Sequence, residues 1–188
     1  MKRMNQNSTT LLVAAMIMVV AGCATHQRAP ENVNAGWSRW EKSAGGNGHY
    51  YKAVPASSGI EWTRAAELAR QQGGYLATIT SARENAFVFK LIHSPEFFAD
   101  FNGAGPVIGA FQPEGAVEPD GGWRWATGES WNYANWYSGE PNNYKSAGTR
   151  GEDGVIFYSN NSRTPSATWA DISRGDSHTG GYVIERDK

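Results

Sequence analysis

The stretch from residue 139 to residue 172 reads GEPNNYKSAGTRGEDGVIFYSNNSRTPSATWADI, and its composition decides what kind of fold the chain can form. One short apolar segment, Val155 to Tyr158, lies between long runs of Gly, Asn, Ser and Thr. Short β segments separated by such loops are typical of a β-containing domain and argue against a helical bundle. Loops of this length are usually either functional or disordered.

Aromatic residues just before this stretch argue against disorder. Seven of them lie between Trp123 and Tyr144, and each large ring buries about 150–250 Å² in a folded domain. The chain has 188 residues, 40% of them hydrophobic, which suits one ordinary domain with a tail. A formal net charge of −1 gives no basic footprint for nucleic acid. A single cysteine excludes an intrachain disulfide and a zinc site built from several thiolates.

Two helices are predicted ahead of the long loops. Apolar residues recur at i, i+3, i+4 and i+7 from Trp62, which predicts a helix over residues 62–72 that Gly73-Gly74 ends. The sequence Ser81-Ala82-Arg83-Glu84 is a capping-box pattern. It begins a second helix that ends before Pro95.

Short strands are expected around these helices and between the loops, where aromatic and β-branched residues gather. The expected segments are residues 49–54, 75–79, 107–110, 123–125, 155–158 and 182–185. Two helices combined with short strands predict an α+β domain.

The first 23 residues predict an export signal. Lys2 and Arg3 precede an unbroken apolar run from Leu11 to Ala21, which is about half the roughly 20 residues needed to span a bilayer. The sequence Val20-Ala21-Gly22-Cys23 resembles a bacterial lipobox, with cleavage before Cys23. The resemblance implies that Cys23 is lipidated and anchors the chain to a membrane, whereas a plain signal peptide with a stray cysteine is the alternative.

The remainder divides into a tether and a domain. Residues 1–22 are the predicted signal peptide, residues 23–47 the lipidated cysteine and a polar tether, and residues 48–188 the domain. Trp37 and Trp40 lie within the tether and are expected to pack on the domain. Ala24 stands where lipoproteins of the inner membrane often have Asp, so the predicted location is the bacterial cell envelope, with the outer membrane favoured.

Several motifs occur in the order and spacing of one known family. They are GGYLATI at 73–79, VIGA at 107–110, WRW at 123–125, NW at 135–136, GEPNN at 139–143, GED at 151–153 and WADI at 169–172. The chain resembles a C-type lectin-like domain over most of residues 49–186. The resemblance implies two helices, small antiparallel sheets and a long loop region that carries the binding site.

The family's two disulfides are absent from this chain. The resemblance places Ala69 and Ile184 at one pair of cysteine positions, and Gly154 and Arg174 at the other. Each missing bridge removes about 2–4 kcal/mol of stability. The tryptophans at 123, 125, 131, 136 and 169 are expected to compensate by packing in the core and loops.

The resemblance also implies a calcium site in the long loops. Its ligands here are Glu140, Asn142, Glu152 and Asp171, which supply the carboxylate and amide oxygens that Ca²⁺ prefers. In the family, the peptide bond before the proline of this motif is cis, and a sugar's vicinal hydroxyls complete the coordination of the ion. Glu140, Asn142 and Glu152 then also bind the sugar, and the Glu-Pro-Asn order goes with mannose-type sugars. Tyr144, or Tyr137, is a candidate for stacking on the sugar ring.

One departure from the family pattern weakens the calcium prediction. The family's Trp-Asn-Asp motif reads Trp169-Ala170-Asp171 here, so one amide oxygen ligand is missing. Extracellular calcium modules bind at about 10⁻⁴–10⁻³ M, which leaves a thin margin. Water or one of four polar side chains could fill the gap: Asp153, Asn143, Asn160 and Asn161.

The sequence therefore predicts a lipid-anchored module that binds a glycan or surface glycoconjugate with calcium, and it keeps one alternative. That alternative is a calcium-independent protein-binding or adhesion module on the same fold, which the missing ligand and the aromatic loops favour. No nucleophile stands out, so an enzyme is not expected. The tripeptide Arg174-Gly175-Asp176 is treated as a chance match to a cell-adhesion motif.

Overall fold

Two helices pack against an eight-stranded sheet in a computed structural model of the chain, which describes residues 36–98, 104–145, 151–159 and 164–187. The helices are α1 (Trp62–Gln71) and α2 (Ala82–Ile92), and short 3-10 turns cover Lys42–Ala44 and Pro95–Phe97. The strands are β1 (Ser38–Arg39), β2 (Tyr50–Pro55), β3 (Tyr75–Leu76), β4 (Ala104–Phe111), β5 (Arg124–Trp125), β6 (Gly154–Tyr158), β7 (Trp169–Ile172) and β8 (Gly181–Arg186). The predicted α+β class is confirmed.

The strands run in the order β1-β2-β8-β4-β6-β7, with β3 beside β8 and β5 beside β4. Most neighbours are antiparallel, as expected. The expected small sheets are joined into one, because β4 and β8 pair in parallel at Pro106 with Gly181 and Val107 with Tyr182. Because of this central contact, the loops that leave β4, β6 and β7 all start from strands of the same sheet.

Two buried clusters form the core. One contains Trp123, Trp125 and Trp169 and has Trp131 and Trp136 packed against it. The other lies under α1 and joins Ala69 to Ile184. The prediction that the five tryptophans pack in the core and loops is confirmed.

Both helices begin and end close to the predicted positions. Gly73, with φ of 75°, follows α1 in the left-handed conformation that glycine adopts most readily. At the start of α2, the backbone N–H of Glu84 donates to the hydroxyl of Ser81 over 3.2 Å. Glu84 Oε2 accepts from the backbone N–H of Thr80, one residue before the cap, over 2.8 Å.

The segment from residue 36 to residue 47, predicted as the end of the tether, belongs to the domain. β1 pairs with β2, and the buried ring of Trp40 stacks on Phe87 at a centroid distance of 5.7 Å. The guanidinium of Arg186 lies 4.2 Å from the centroid of the Trp37 ring. The packing of these two rings, of which Trp40 is buried and Trp37 is half-buried, attaches the segment to the domain. Both rings were expected from the sequence to pack on the domain.

The predicted signal peptide, Cys23 and residues 24–35 lie outside the described residues. Among the residues that are described, neither helix has the length and apolar character of a membrane span.

Two buried glutamates meet beneath β2. The Tyr51 hydroxyl lies 2.5 Å from Glu84 Oε1 and 3.0 Å from Glu185 Oε1, and His49 Nδ1 lies 2.6 Å from the same Glu185 oxygen. Burial raises the pKa of Glu185 to about 7, although hydrogen bonds from His49 and Thr78 lower it. The negative charge of Glu84 raises it further. Glu185 therefore retains a proton in the folded chain at pH values where the unfolded chain has lost it.

This raised pKa predicts a pH dependence of stability. The free energy of unfolding falls as the pH rises from about 5 to about 8, by an amount of the order of 1–3 kcal/mol, because the folded chain must ionise a buried carboxyl. Denaturant unfolding of E185Q is expected to show a clearly smaller slope, whereas the exposed control E67Q keeps the full slope. The remaining slope belongs to other carboxyls with raised pKa values, which include Glu140 and Glu152. An unchanged slope in E185Q would show that another group is responsible.

Candidate functional site

The loop of residues 139–144 is fixed to β7 by one buried carboxylate. Asp171 is 4% exposed, and its Oδ1 and Oδ2 accept from the backbone N–H groups of Asn142 and Asn143 over 3.0 and 2.7 Å. The Glu140–Pro141 peptide bond is cis, as the family resemblance implies. Asp171 thus holds the loop by its backbone.

A second set of hydrogen bonds joins this loop to the residues before β6. The backbone N–H of Tyr144 donates to Glu152 Oε2 over 2.8 Å, and the backbone N–H of Glu152 donates to Asn143 Oδ1 over 2.9 Å. Within the loop, the Asn142 amide donates to Glu140 Oε2 over 2.6 Å. The four predicted ligands therefore lie in one hydrogen-bonded network.

Glu140, Asn142, Glu152 and Asp171 all line one pocket of about 420 Å³, here called the acidic pocket. Its other walls are Ala104, Tyr144, Ile156, Tyr158, Ala170, Ile172, Asp176 and His178. The lining thus combines apolar and aromatic side chains with four carboxylates.

The carboxylates of the acidic pocket repel one another. Burial raises the pKa of Glu140 to about 8, and a hydrogen bond to Asp171 and the charges of Asp171 and Glu152 add to this. Burial also raises the pKa of Glu152 to about 7, with contributions from the charges of Asp171 and Asp176, although a hydrogen bond from the Tyr144 backbone lowers it. A cation in the pocket would relieve this repulsion.

The donor set fits a hard cation, but the side chains do not form a finished cage. Within the described residues, no group of three or more His, Cys, Asp or Glu side chains is placed to hold a metal ion. Oxygens of Glu140, Glu152 and Asp171 already accept hydrogen bonds from the protein. Oxygen atoms suitable for Ca²⁺ are therefore gathered in one pocket, and an ion would have to draw the glutamates together.

Two of the candidates for the missing ligand have other roles. Asn143 Oδ1 holds the backbone of Glu152, and the Asp153 carboxylate is engaged by Arg174. Asn160 and Asn161 lie outside the described residues. Ala170 itself is 4% exposed and lines the acidic pocket, so an amide is missing at the pocket wall and not at a remote position.

The two tyrosines proposed for sugar stacking differ. Tyr144 is 66% exposed beside Glu152 and lines the acidic pocket. Tyr137 packs edge-on against Tyr158 at a centroid distance of 5.2 Å. Only Tyr144 offers an open ring face next to the carboxylates.

Arg174 is held at the position where the family has a disulfide. Its Nε and Nη2 both lie 2.8 Å from Asp153 Oδ2, and its guanidinium lies over the rings of Trp62 and Phe111. A Cβ built on Gly154 would lie 2.9 Å from Arg174 Cγ, so the two implied cysteine positions are indeed neighbours. The arginine of the Arg174-Gly175-Asp176 tripeptide is therefore occupied within the domain.

Sequence analysis missed Asp176 and His178 as pocket residues. Asp176 Oδ1 lies 2.6 Å from His178 Nδ1, and both side chains reach the acidic pocket from the loop after β7. Their sequence signal was the polar character of this loop alone, which does not distinguish a site from an ordinary surface loop.

Comparisons with known proteins agree with this architecture. No family model matches the chain. C-type lectin lectoxin-Lio1 of Erythrolamprus poecilogyrus is 31% identical over 134 residues, which are 70% of this chain and 72% of that protein.

Two solved structures share the fold. The carbohydrate-recognition domain of the human scavenger receptor C-type lectin has a TM-score of 0.60 at 19% identity, and the match covers 81% of this chain and 97% of that one. A calcium-independent type II antifreeze protein has a TM-score of 0.56 at 18% identity, covering 81% and 92%. At sequence identities this low, the structural similarity establishes that the chain shares the fold of these two proteins.

The contacts of Arg174 predict a large loss when they are removed. R174A should lower the free energy of unfolding by about 1–3 kcal/mol, because it removes the guanidinium partner of Asp153 Oδ2 and uncovers the rings of Trp62 and Phe111. R174K should recover less than half of this, since a lysine cannot reproduce the planar fork. The exposed Arg64–Glu67 pair supplies the control, and R64A should cost about 0.5 kcal/mol or less in urea unfolding. Equal losses in R174A and R64A would contradict the interpretation.

Proposed function

The chain belongs to the C-type lectin-like family, and on that premise we propose that its domain is a carbohydrate-binding module that uses Ca²⁺ in the acidic pocket. The observation that carries the proposal is the convergence of Glu140, Asn142, Glu152 and Asp171 on one pocket from separate segments. The relatives are named as lectins and binding domains, which supports binding and not catalysis.

Each proposed ligand has a distinct part. Asp171 is the fixed member, because its carboxylate is buried and holds the loop backbone. Glu140 and Glu152 are partly exposed at the pocket wall and can turn toward an ion. When bound, Ca²⁺ would supply a Lewis-acid centre for sugar hydroxyls.

The sugar would be held by the same residues together with one ring. Glu140, Asn142 and Glu152 present carboxylate and amide groups that can accept from or donate to hydroxyls. The exposed ring of Tyr144 would cover an apolar sugar face. The Glu-Pro-Asn order supports a mannose-type sugar with two equatorial hydroxyls.

Ala170 supports a second candidate function for the domain. A domain that lacks one calcium ligand could use the same loops to bind a protein without metal, and a calcium-independent antifreeze protein shares the fold. The loops are fixed by hydrogen bonds of the protein itself, so such a surface would not need an ion for its shape.

We also propose that lipidation at Cys23 anchors the domain in the bacterial cell envelope, with the outer membrane as the destination. The support is the apolar run before Cys23 and the lipobox-like sequence. Two or three acyl chains would hold the chain stably, whereas one would not.

Calcium should stabilise the domain. With a Kd of about 10⁻⁴–10⁻³ M, 10 mM CaCl₂ is expected to raise the free energy of unfolding by about 1.4–2.7 kcal/mol relative to EGTA. Calorimetry should show this shift, E140Q should abolish it, and the control E96Q, which alters an exposed glutamate outside the pocket, should keep it. Binding of methyl α-mannoside in CaCl₂ and in EGTA separates the two functions: binding that is lost in EGTA supports the calcium-dependent lectin, whereas no mannoside binding in either medium favours the metal-free protein-binding module.

Restoring the missing amide should strengthen the site. A170N is expected to lower the Kd for Ca²⁺ about fivefold or more, because one added ligand or charge-assisted contact contributes about 1 kcal/mol or more. A170L has the same number and branching of side-chain heavy atoms without the oxygen and should not gain affinity. If A170N and A170L shift the calcium titration equally, residue 170 does not face the ion.

A further inference from the structure

A basic surface patch lies where α2 meets the beginning of the domain. Arg39, Arg83 and Lys90 line a shallow pocket of about 370 Å³. The stacked residues Trp40 and Phe87 also line it. All three basic residues are exposed. This basic patch shares no lining residue with the acidic pocket.

The positive charge of the patch is mostly uncompensated. Glu41 is the acidic residue in its lining, and it pairs with Arg39 at 3.4 Å. Within the described parts of the chain, no carboxylate lies within ion-pair distance of Arg83 or Lys90. Arg83 and Lys90 are seven residues apart on α2, so they project from the same face of the helix. The exposed Lys42 adds a further positive charge to the adjoining turn.

The patch lies close in sequence to the proposed anchor. Arg39 follows Cys23 by 16 residues, and the 13 residues from Cys23 to Gly36 can span at most about 47 Å. A chain lipidated at Cys23 therefore keeps the patch within reach of the lipid surface. The patch is also formed partly by β1 and the turn after it, the first elements of the described domain.

We propose that the basic patch docks the domain on the anionic headgroups of the membrane that holds its lipid anchor. The proposal rests on the lipidation at Cys23 proposed above. Guanidinium forks and an ammonium group are the side chains that bind phosphate oxygens best. A basic surface next to an acyl anchor is the usual second signal that fixes a protein on an anionic leaflet. Because the basic patch shares no lining residue with the acidic pocket, docking by these side chains does not use the proposed calcium ligands.

The test uses residues 23–188 with Cys23→Ser, which keep the whole compact unit from Asn34 to Lys188 and carry no acyl chain. Co-sedimentation is measured in EGTA with vesicles of phosphatidylglycerol and phosphatidylcholine at 1:1, and with phosphatidylcholine alone. We expect binding at least tenfold stronger to the anionic vesicles at low salt, and a steep decline at 0.5 M NaCl.

The double variant R83E/K90E should bind the anionic vesicles at least tenfold more weakly. The control R70E/R124E changes the net charge equally at two exposed residues outside the patch and should stay within threefold of the parent. Circular dichroism checks folding, and R83Q/K90Q replaces the reversal if that variant unfolds.

Equal binding to the two vesicle types, or equal losses in the patch variant and its control, would overturn the proposal. Because the vesicle assay contains neither calcium nor sugar, its result is independent of the calcium-shift experiment. If the anionic vesicles are not bound but the calcium shift is intact, only the membrane-docking proposal is wrong. If the vesicles are bound but calcium produces no shift, the calcium-dependent function is wrong and the membrane-docking proposal stands.

Discussion

The position of the long loop region depends on the burial of Trp169. Its indole N–H donates to Asn85 Oδ1 on α2 over 2.9 Å, and its backbone bonds to Asn135 and Tyr137 on the loop side. Its ring is fully buried against Trp125, Trp131, Trp136 and Tyr133. Because β7 is fixed in this way, Asp171 two residues later reaches the loop of residues 139–144. Aromatic packing thus sets the position of the charged pocket.

This arrangement explains how the domain can lack both disulfides of its family. One implied cysteine pair is replaced by apolar packing, since Ala69 and Ile184 share a buried cluster. The other is replaced by Arg174, which joins the segment just before β6 to the loop after β7 through Asp153 and also packs on two rings. A disulfide acts chiefly on the unfolded chain, whereas these contacts act on the folded one. Stability here is therefore sensitive to substitutions that a disulfide would tolerate.

The sequence predicted the helices well because their signals are local. The spacing from Trp62 and the Ser81 cap each lie within one helix, and the structure places both helices within a residue or two. The parallel contact of β4 with β8 joins segments about 75 residues apart, and no local pattern specifies it. Likewise, Glu140 and Asp171 were identified by motif, but Asp176 and His178 reach the pocket only through the path of the loop after β7. The packing of Trp40 likewise depends on Phe87, which is 47 residues away in the sequence.

The acidic pocket separates the shape of the loop from the binding of an ion. Asp171 and Asn143 satisfy backbone groups of the loop and of Glu152 by themselves, so no cation is needed to hold the backbone in place. The cost of this pre-ordering is electrostatic, because burial and the neighbouring charge of Asp171 raise the pKa values of Glu140 and Glu152. On the proposed function, a site with a fixed backbone and mutually repelling side chains would still favour a cation although residue 170 is an alanine. It can equally keep its surface when no ion is bound, which is why one scaffold can serve both metal-dependent and metal-free recognition.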